Sequence, residues 1–102
     1  MKLLQIIPKE GNETSLKALL KKKERELRGT ATTFVRTGEG RWVHKSKNYP
    51  GWINWDEVRG GLLVAEVQTK KDGMEWRLLQ AFIGYLDRHL HDHFESISIT
   101  YR

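Results

Sequence analysis

The stretch Leu62-Leu63-Val64-Ala65-Glu66-Val67-Gln68-Thr69, then Lys70-Lys71-Asp72-Gly73, then Met74 through His93, decides how the rest of the chain reads. Its first eight residues are the most apolar and β-branched run available, which predicts a strand near the centre of a sheet. Lys70 to Gly73 has turn composition, and Asp72 with Glu75 three residues on matches a helix-capping pattern. From Met74, the residues Leu79, Phe82, Ile83, Leu86 and Leu90 recur at the spacing of one helical face, so a helix is predicted to about His93. A central strand feeding an amphipathic helix means a sheet with helical cover.

Working toward the C-terminus, Glu95 to Tyr101 alternates. Ile97, Ile99 and Tyr101 fall on one side and Ser96, Ser98 and Thr100 on the other, as in a strand with one covered and one wet face. Toward the N-terminus, Ser46 to Gly60 contains Pro50 and Gly51 and ends at Gly60-Gly61, which predicts a long structured loop of the kind that is often functional. Thr30–Thr37 and Arg41–Lys45 flank Gly38-Glu39-Gly40 and read as a hairpin. Leu16, Leu19, Leu20 and Leu27 make the stripe of a helix that Thr14 or Ser15 can cap and that ends near Arg28, with Gly29 just beyond. Leu3 to Ile7 reads as a strand stopped by Pro8.

The order is therefore β-α-β-β-β-α-β, a single α+β domain over residues 1–102. Two helices cannot cover both faces of five strands, so the economical packing is a two-layer sandwich: a five-stranded mixed sheet with both helices on one face. This is compatible with a ferredoxin-like sandwich plus one strand, and with an α-β-β-β-α-β core preceded by a strand.

Composition excludes several classes of function. The chain has no cysteine, which removes disulfide frameworks, thiol nucleophiles and Cys-ligated metal sites. No apolar run reaches the ~20 residues of a membrane-spanning helix. The start Met1-Lys2-Leu3-Leu4-Gln5-Ile6-Ile7-Pro8 has too short an apolar stretch for a signal peptide, so a soluble, cytoplasmic protein without membrane contact is expected. No Gly-x-Ser-x-Gly elbow or glycine-rich phosphate loop is present.

Charge gives the functional expectation. Eighteen Lys and Arg against thirteen Asp and Glu leave +5. Residues 17–28 carry +4 and residues 36–47 carry +3, while residues 48–102 carry −2. A positive field of this kind draws polyanions. Lys17, Lys21, Arg25 and Arg28 line one side of the first helix, where the like charges oppose one another until phosphates neutralise them; Lys22 and Glu26 beside them form an attractive pair. Trp42, Tyr49, Trp52 and Trp55 are interleaved with Arg41, His44, Lys45 and Lys47, and flat rings beside cations can stack bases. Such rings also suit a sugar platform or a core, and at least two of the four are expected to be structural.

The expected function is thus a non-enzymatic binding module for an anionic partner, nucleic acid above all. Lys17, Lys21, Arg25, Arg28, Arg41, Lys45 and Lys47 would make charge contacts and Trp42 and Trp52 would stack. No cofactor is expected. A second expectation is a Mg²⁺-dependent nuclease using Asp56 and Glu66. Asp56, Glu66 and Gln68 resemble the D…(D/E)-x-K signature of restriction-endonuclease-like folds, with Gln68 where that signature has lysine and Lys70 two residues late. A third is a homo-oligomer, such as a homodimer, pairing through the C-terminal strand or the open sheet face. His89 and His93 stand at a spacing that can grip a metal, or that simply complements a helix C-terminus.

Overall fold

The computed structural model describes residues 2–11, 14–27, 33–38, 40–58, 61–71 and 73–101. Six strands and two helices follow in the order β1 (Lys2–Pro8), α1 (Leu16–Leu27), β2 (Phe34–Gly38), β3 (Arg41–His44), β4 (Trp52–Glu57), β5 (Leu63–Gln68), α2 (Glu75–Leu90) and β6 (Phe94–Tyr101). The strands form one sheet in the order β2-β3-β4-β5-β1-β6. Every neighbouring pair is antiparallel.

The expected five-stranded mixed sheet is therefore corrected on two counts. First, the expected loop of residues 46–60 contains a strand, β4. Second, no parallel pair forms among the described residues. β5 and β6 run the same way, linked through α2, but β1 occupies the slot between them and is antiparallel to both. The central position predicted for β5 holds, since it lies between β4 and β1.

Register explains the core. Leu4 faces Ala65, Ile6 faces Leu63, Ala65 faces Trp55 and Val67 faces Ile53. Ile53 in turn faces Trp42. Because side chains alternate along a strand, these residues share one side of the sheet. All of them are buried in one cluster with Phe34 and with Leu16, Leu20, Leu78, Leu79, Phe82, Tyr85, Leu86 and Leu90 of the helices. The expectation of both helices on one face also differs in detail, because the two helices do not cover the sheet alike. α1 packs against α2, β2 and β4, whereas α2 packs against β5 and α1.

Ser15 caps α1, its Oγ accepting from the Ala18 amide at 3.2 Å. α2 begins at Met74 without a side-chain cap bond, and it ends at Leu90, so His93 lies beyond the helix. The expected roles of Asp72, Arg28, Gly29 and Gly60 fall outside the described residues, as do Thr30 to Thr32 of the expected strand Thr30–Thr37 and Glu39 of the expected β2–β3 turn. Gly40 in that turn has φ +71°, and a Cβ there would lie 2.7 Å from the Trp55 carbonyl oxygen, so the hairpin needs glycine at this point.

Candidate nucleic-acid interface

The side of the sheet away from the core carries Arg41, Trp52, Asn54, Asp56, Val64, Glu66 and Gln68, the residues alternating with the buried ones on β3, β4 and β5. Trp52 is half-buried there, opposite Gln68. The Arg41 guanidinium lies over its ring at 5.4 Å from the centroid, while Arg41 Nε donates to Asn54 Oδ1 at 3.1 Å. The cation is thus held by a hydrogen bond across the β3–β4 ladder in a position to cover one face of the indole.

The pairing of Trp52 with Gln68 fixes what surrounds this platform. The segment before Trp52 and the segment after Gln68 must emerge at the same end of the sheet. They bring Lys45 and Lys47 of the β3–β4 loop together with Lys70 and Lys71 of the β5–α2 turn, and all four are exposed. Gly51 is where the two segments touch. At φ +114°, its absent Cβ would run into the Gln68 carbonyl oxygen and sit 3.1 Å from Leu78 Cδ2. A ring stack pins the loop further. His44 stacks on Tyr49 at 4.1 Å, Phe34 meets His44 edge-on at 5.1 Å, and exposed Arg77 of α2 lies over Tyr49 at 5.1 Å. Five cations thus share one end of the sheet, and among the described residues none of the five has an ion-pair partner.

The loop also sets the state of His44. Its Nδ1 accepts from the Ser46 amide at 2.9 Å, which requires an unprotonated nitrogen there. Burial lowers its pKa from the ordinary 6.5 in the same direction.

The remaining predicted residues divide. Trp42 is corrected. It is fully buried (0% exposed), with Trp55, Phe82 and Tyr85 packed edge-on at 6.0, 6.3 and 5.7 Å, so no base can reach it. Trp55 is buried too, which meets the expectation that at least two of the four aromatic residues are structural. Lys17 is engaged, with Nζ 4.0 Å from Asp56 Oδ1 and 5.9 Å from the Trp55 ring centroid, which ties α1 to β4. Glu26 pairs with Lys23 at 3.3 Å. Arg25 is exposed and Lys21 half-buried on α1. α1 buries Leu16 and Leu20 in the core. Lys17 alone of these α1 cations is seen to reach the outward side, at Asp56, and it is engaged there; no contact ties Lys21 or Arg25 to Arg41 or Trp52 among the described residues. The structure does not join the two groups into one surface.

Asp56 and Glu66 do share a place. With Asn54, Trp55, Val58 and Val64 they line a shallow hollow of about 300 Å³ on the outward face. Glu66 Oε2 accepts from Gln68 Nε2 at 3.2 Å, and Asp56 holds Lys17. No three His, Asp or Glu side chains stand at metal-binding spacing among the described residues. His89 and His93 line a smaller hollow, about 130 Å³, with Lys22, Lys23 and Glu26. The His89 pKa is lowered by burial first, then by the positive charges of Arg88 and Lys23.

Lys70, Lys71 and Arg77 are interface candidates that the sequence pattern passes over. The signal that groups them with Lys45 is the β4–β5 register, which requires β4 to be recognised. No family model matches the chain, and no curated protein or solved structure matches it either.

Proposed function

We propose that the protein binds single-stranded nucleic acid at the Arg41–Trp52 platform and the basic end of the sheet beside it. The observation that carries this reading is the convergence of Lys45, Lys47, Lys70, Lys71 and Arg77, all exposed, next to a half-buried indole on the outward sheet face. The chemistry divides between the two parts. The cations hold phosphates without regard to sequence and displace their counterions. The Trp52 ring offers a stacking surface, worth about 1–3 kcal/mol per base in such sites. Asn54, Gln68 and Glu66 flank the ring with planar donors and acceptors of the kind that read base edges. An extended single strand suits a flat sheet face and its rim, because its bases are free to stack.

Fluorescence anisotropy of labelled single-stranded RNA and DNA at low salt tests the reading. Binding is expected, weakened uniformly by Lys70→Glu with Lys71→Glu and weakened again by Trp52→Ala. A flat isotherm with both nucleic acids, or binding indifferent to these substitutions, ends it.

A further inference from the structure

Strand β6 closes the sheet on one side, paired only with β1 among the described residues. Its ladder groups on the far side are unpaired, the arrangement that invites another strand. Natural edges of this kind are protected by lysine, proline or a mid-strand bulge. From Ser96 to Tyr101, β6 has none of these; its irregularity lies at the start, opposite Ile7 and Pro8.

The same border carries an apolar strip. Ile97 and Ile99 are only partly buried, and Tyr101 is 64% exposed. α2 adds to it. That helix turns Phe82 and Tyr85 toward Phe34 and Trp42 of β2 and β3. The opposite flank, at helical spacing, bears Trp76 (43% exposed) and partly buried Ile83. It lies on the side of β6, as Lys2 shows by reaching both Glu75 at 3.7 Å and the Tyr101 ring at 5.5 Å.

We propose that this border joins two copies of the chain, β6 against β6, antiparallel about a twofold axis at Ser98. Self-pairing of one edge is isologous, so both copies complete their ladders at once and the assembly stops at two. Register selects the axis. Any residue-centred axis sets side chains of the same face opposite one another, and a centre at Ile99 leaves Glu95 with no partner within the described strand. A centre at Ser98 sets Ile97 against Ile99 of the other copy, whereas a centre at Ile97 sets Ile99 against the charged Glu95. The Ser98 register also carries Glu95 to the end of the second strand where Lys2 of that copy stands over Tyr101, bringing opposite charges together. Eight residues span about 27 Å, and with the molecule's smallest extent of 22 Å the outline of the border is at most roughly 600 Å² per copy, the lower end of the range for stable interfaces.

Sedimentation velocity on the full chain is the test. The mass is expected to move from 12.0 kDa toward twice that value as concentration rises. Ser98 is exposed, so Ser98→Lys leaves the monomer and its melting temperature intact while placing two lysines face to face, and it is expected to sediment as a monomer. Ser98→Glu behaves the same alone, and mixing the two variants restores the dimer. Ser98→Cys supplies the only thiol in the chain, and mild oxidation is expected to cross-link it, since opposed residues lie within disulfide reach. A monomer at every concentration, a dimer untouched by Ser98→Lys, or a dimer whose Ser98→Cys form resists cross-linking overturns the proposal.

Discussion

Replacing Trp42 separates a core residue from a surface platform, because the two roles predict opposite patterns. Trp42 is fully buried against three aromatic rings. Truncation to alanine removes the whole indole from a close-packed core, which costs about 3–5 kcal/mol. At roughly 4–8 °C per kcal/mol for a domain near this size, the melting temperature falls by at least ~12 °C. Phenylalanine behaves differently. It keeps most of the apolar contact and the edge-on geometry, and it also deletes the indole N–H, which has no acceptor among the described residues. A buried donor left unpaired costs about 1–3 kcal/mol, so relief of that cost offsets the smaller ring. Trp42→Phe is expected within about 1.5 kcal/mol of the parent, the scale of shape-preserving core swaps. Urea unfolding followed by far-ultraviolet circular dichroism reads both numbers without relying on the tryptophan that is removed. Nucleic-acid affinity of the folded Trp42→Phe protein is expected unchanged. A Trp42→Ala cost under about 1 kcal/mol, or a Trp42→Phe cost equal to it, would refute the packing argument.

Three further outcomes follow from the same geometry. With Arg41, Lys45, Lys47, Lys70, Lys71 and Arg77 all on phosphates, the slope of log affinity against log salt is about −4, so a fourfold rise in salt weakens binding ~300-fold; Lys70→Gln with Lys71→Gln reduces the slope by about 1.4, measured by anisotropy. Gly51→Ala forces a Cβ toward the Gln68 carbonyl at φ +114° and is expected to cost at least ~2 kcal/mol in urea unfolding; a neutral result would mean the loop does not lie against β5. His44 and His89 both titrate below 6.5 in the folded chain, so between those lowered values and 6.5 the unfolded chain binds more protons. Stability therefore falls as pH drops through that window and is level above it; thermal melts from about pH 7.5 to about pH 5.5 read this, and His44→Gln with His89→Gln flattens the dependence.

Where the sequence was legible, one period dominated. The stripe from Leu79 to Leu90 has a single apolar side, and α2 buries Leu79, Phe82, Leu86 and Leu90 of it and Ile83 in part. Ile97, Ile99 and Tyr101 alternate without exception, and β6 forms there. What escaped was β4, although Ile53 and Trp55 alternate with Asn54 and Asp56 as a half-covered strand requires. Two features hid it. Pro50 and Gly51 stand immediately before it and read as loop punctuation. Trp52, a large apolar residue, falls on the polar side of the alternation and breaks the pattern. The loss propagated, because without β4 nothing relates Lys45 to Lys70, residues far apart in sequence that the Trp52–Gln68 pair brings to one end of the sheet.

The misfit at Trp52 has a physical meaning of its own. An indole on the outward side of a sheet forgoes the burial that Trp42 and Trp55 gain, and a sequence shaped only by folding would put a smaller or polar residue there. Arg41 compensates by covering one face of the ring, and it is itself oriented by Asn54. That arrangement stabilises the fold only modestly, since an exposed cation–π contact contributes about 0.5–1 kcal/mol. Replacing Trp52 by threonine, a good strand former, should therefore cost little stability while abolishing stacking, whereas the same change at Trp55 should unfold the protein. The position at which pattern reading failed is thus the one where selection for packing explains least, and that asymmetry is the reason the candidate interface is centred on Trp52 and not on the richer run of lysines in α1.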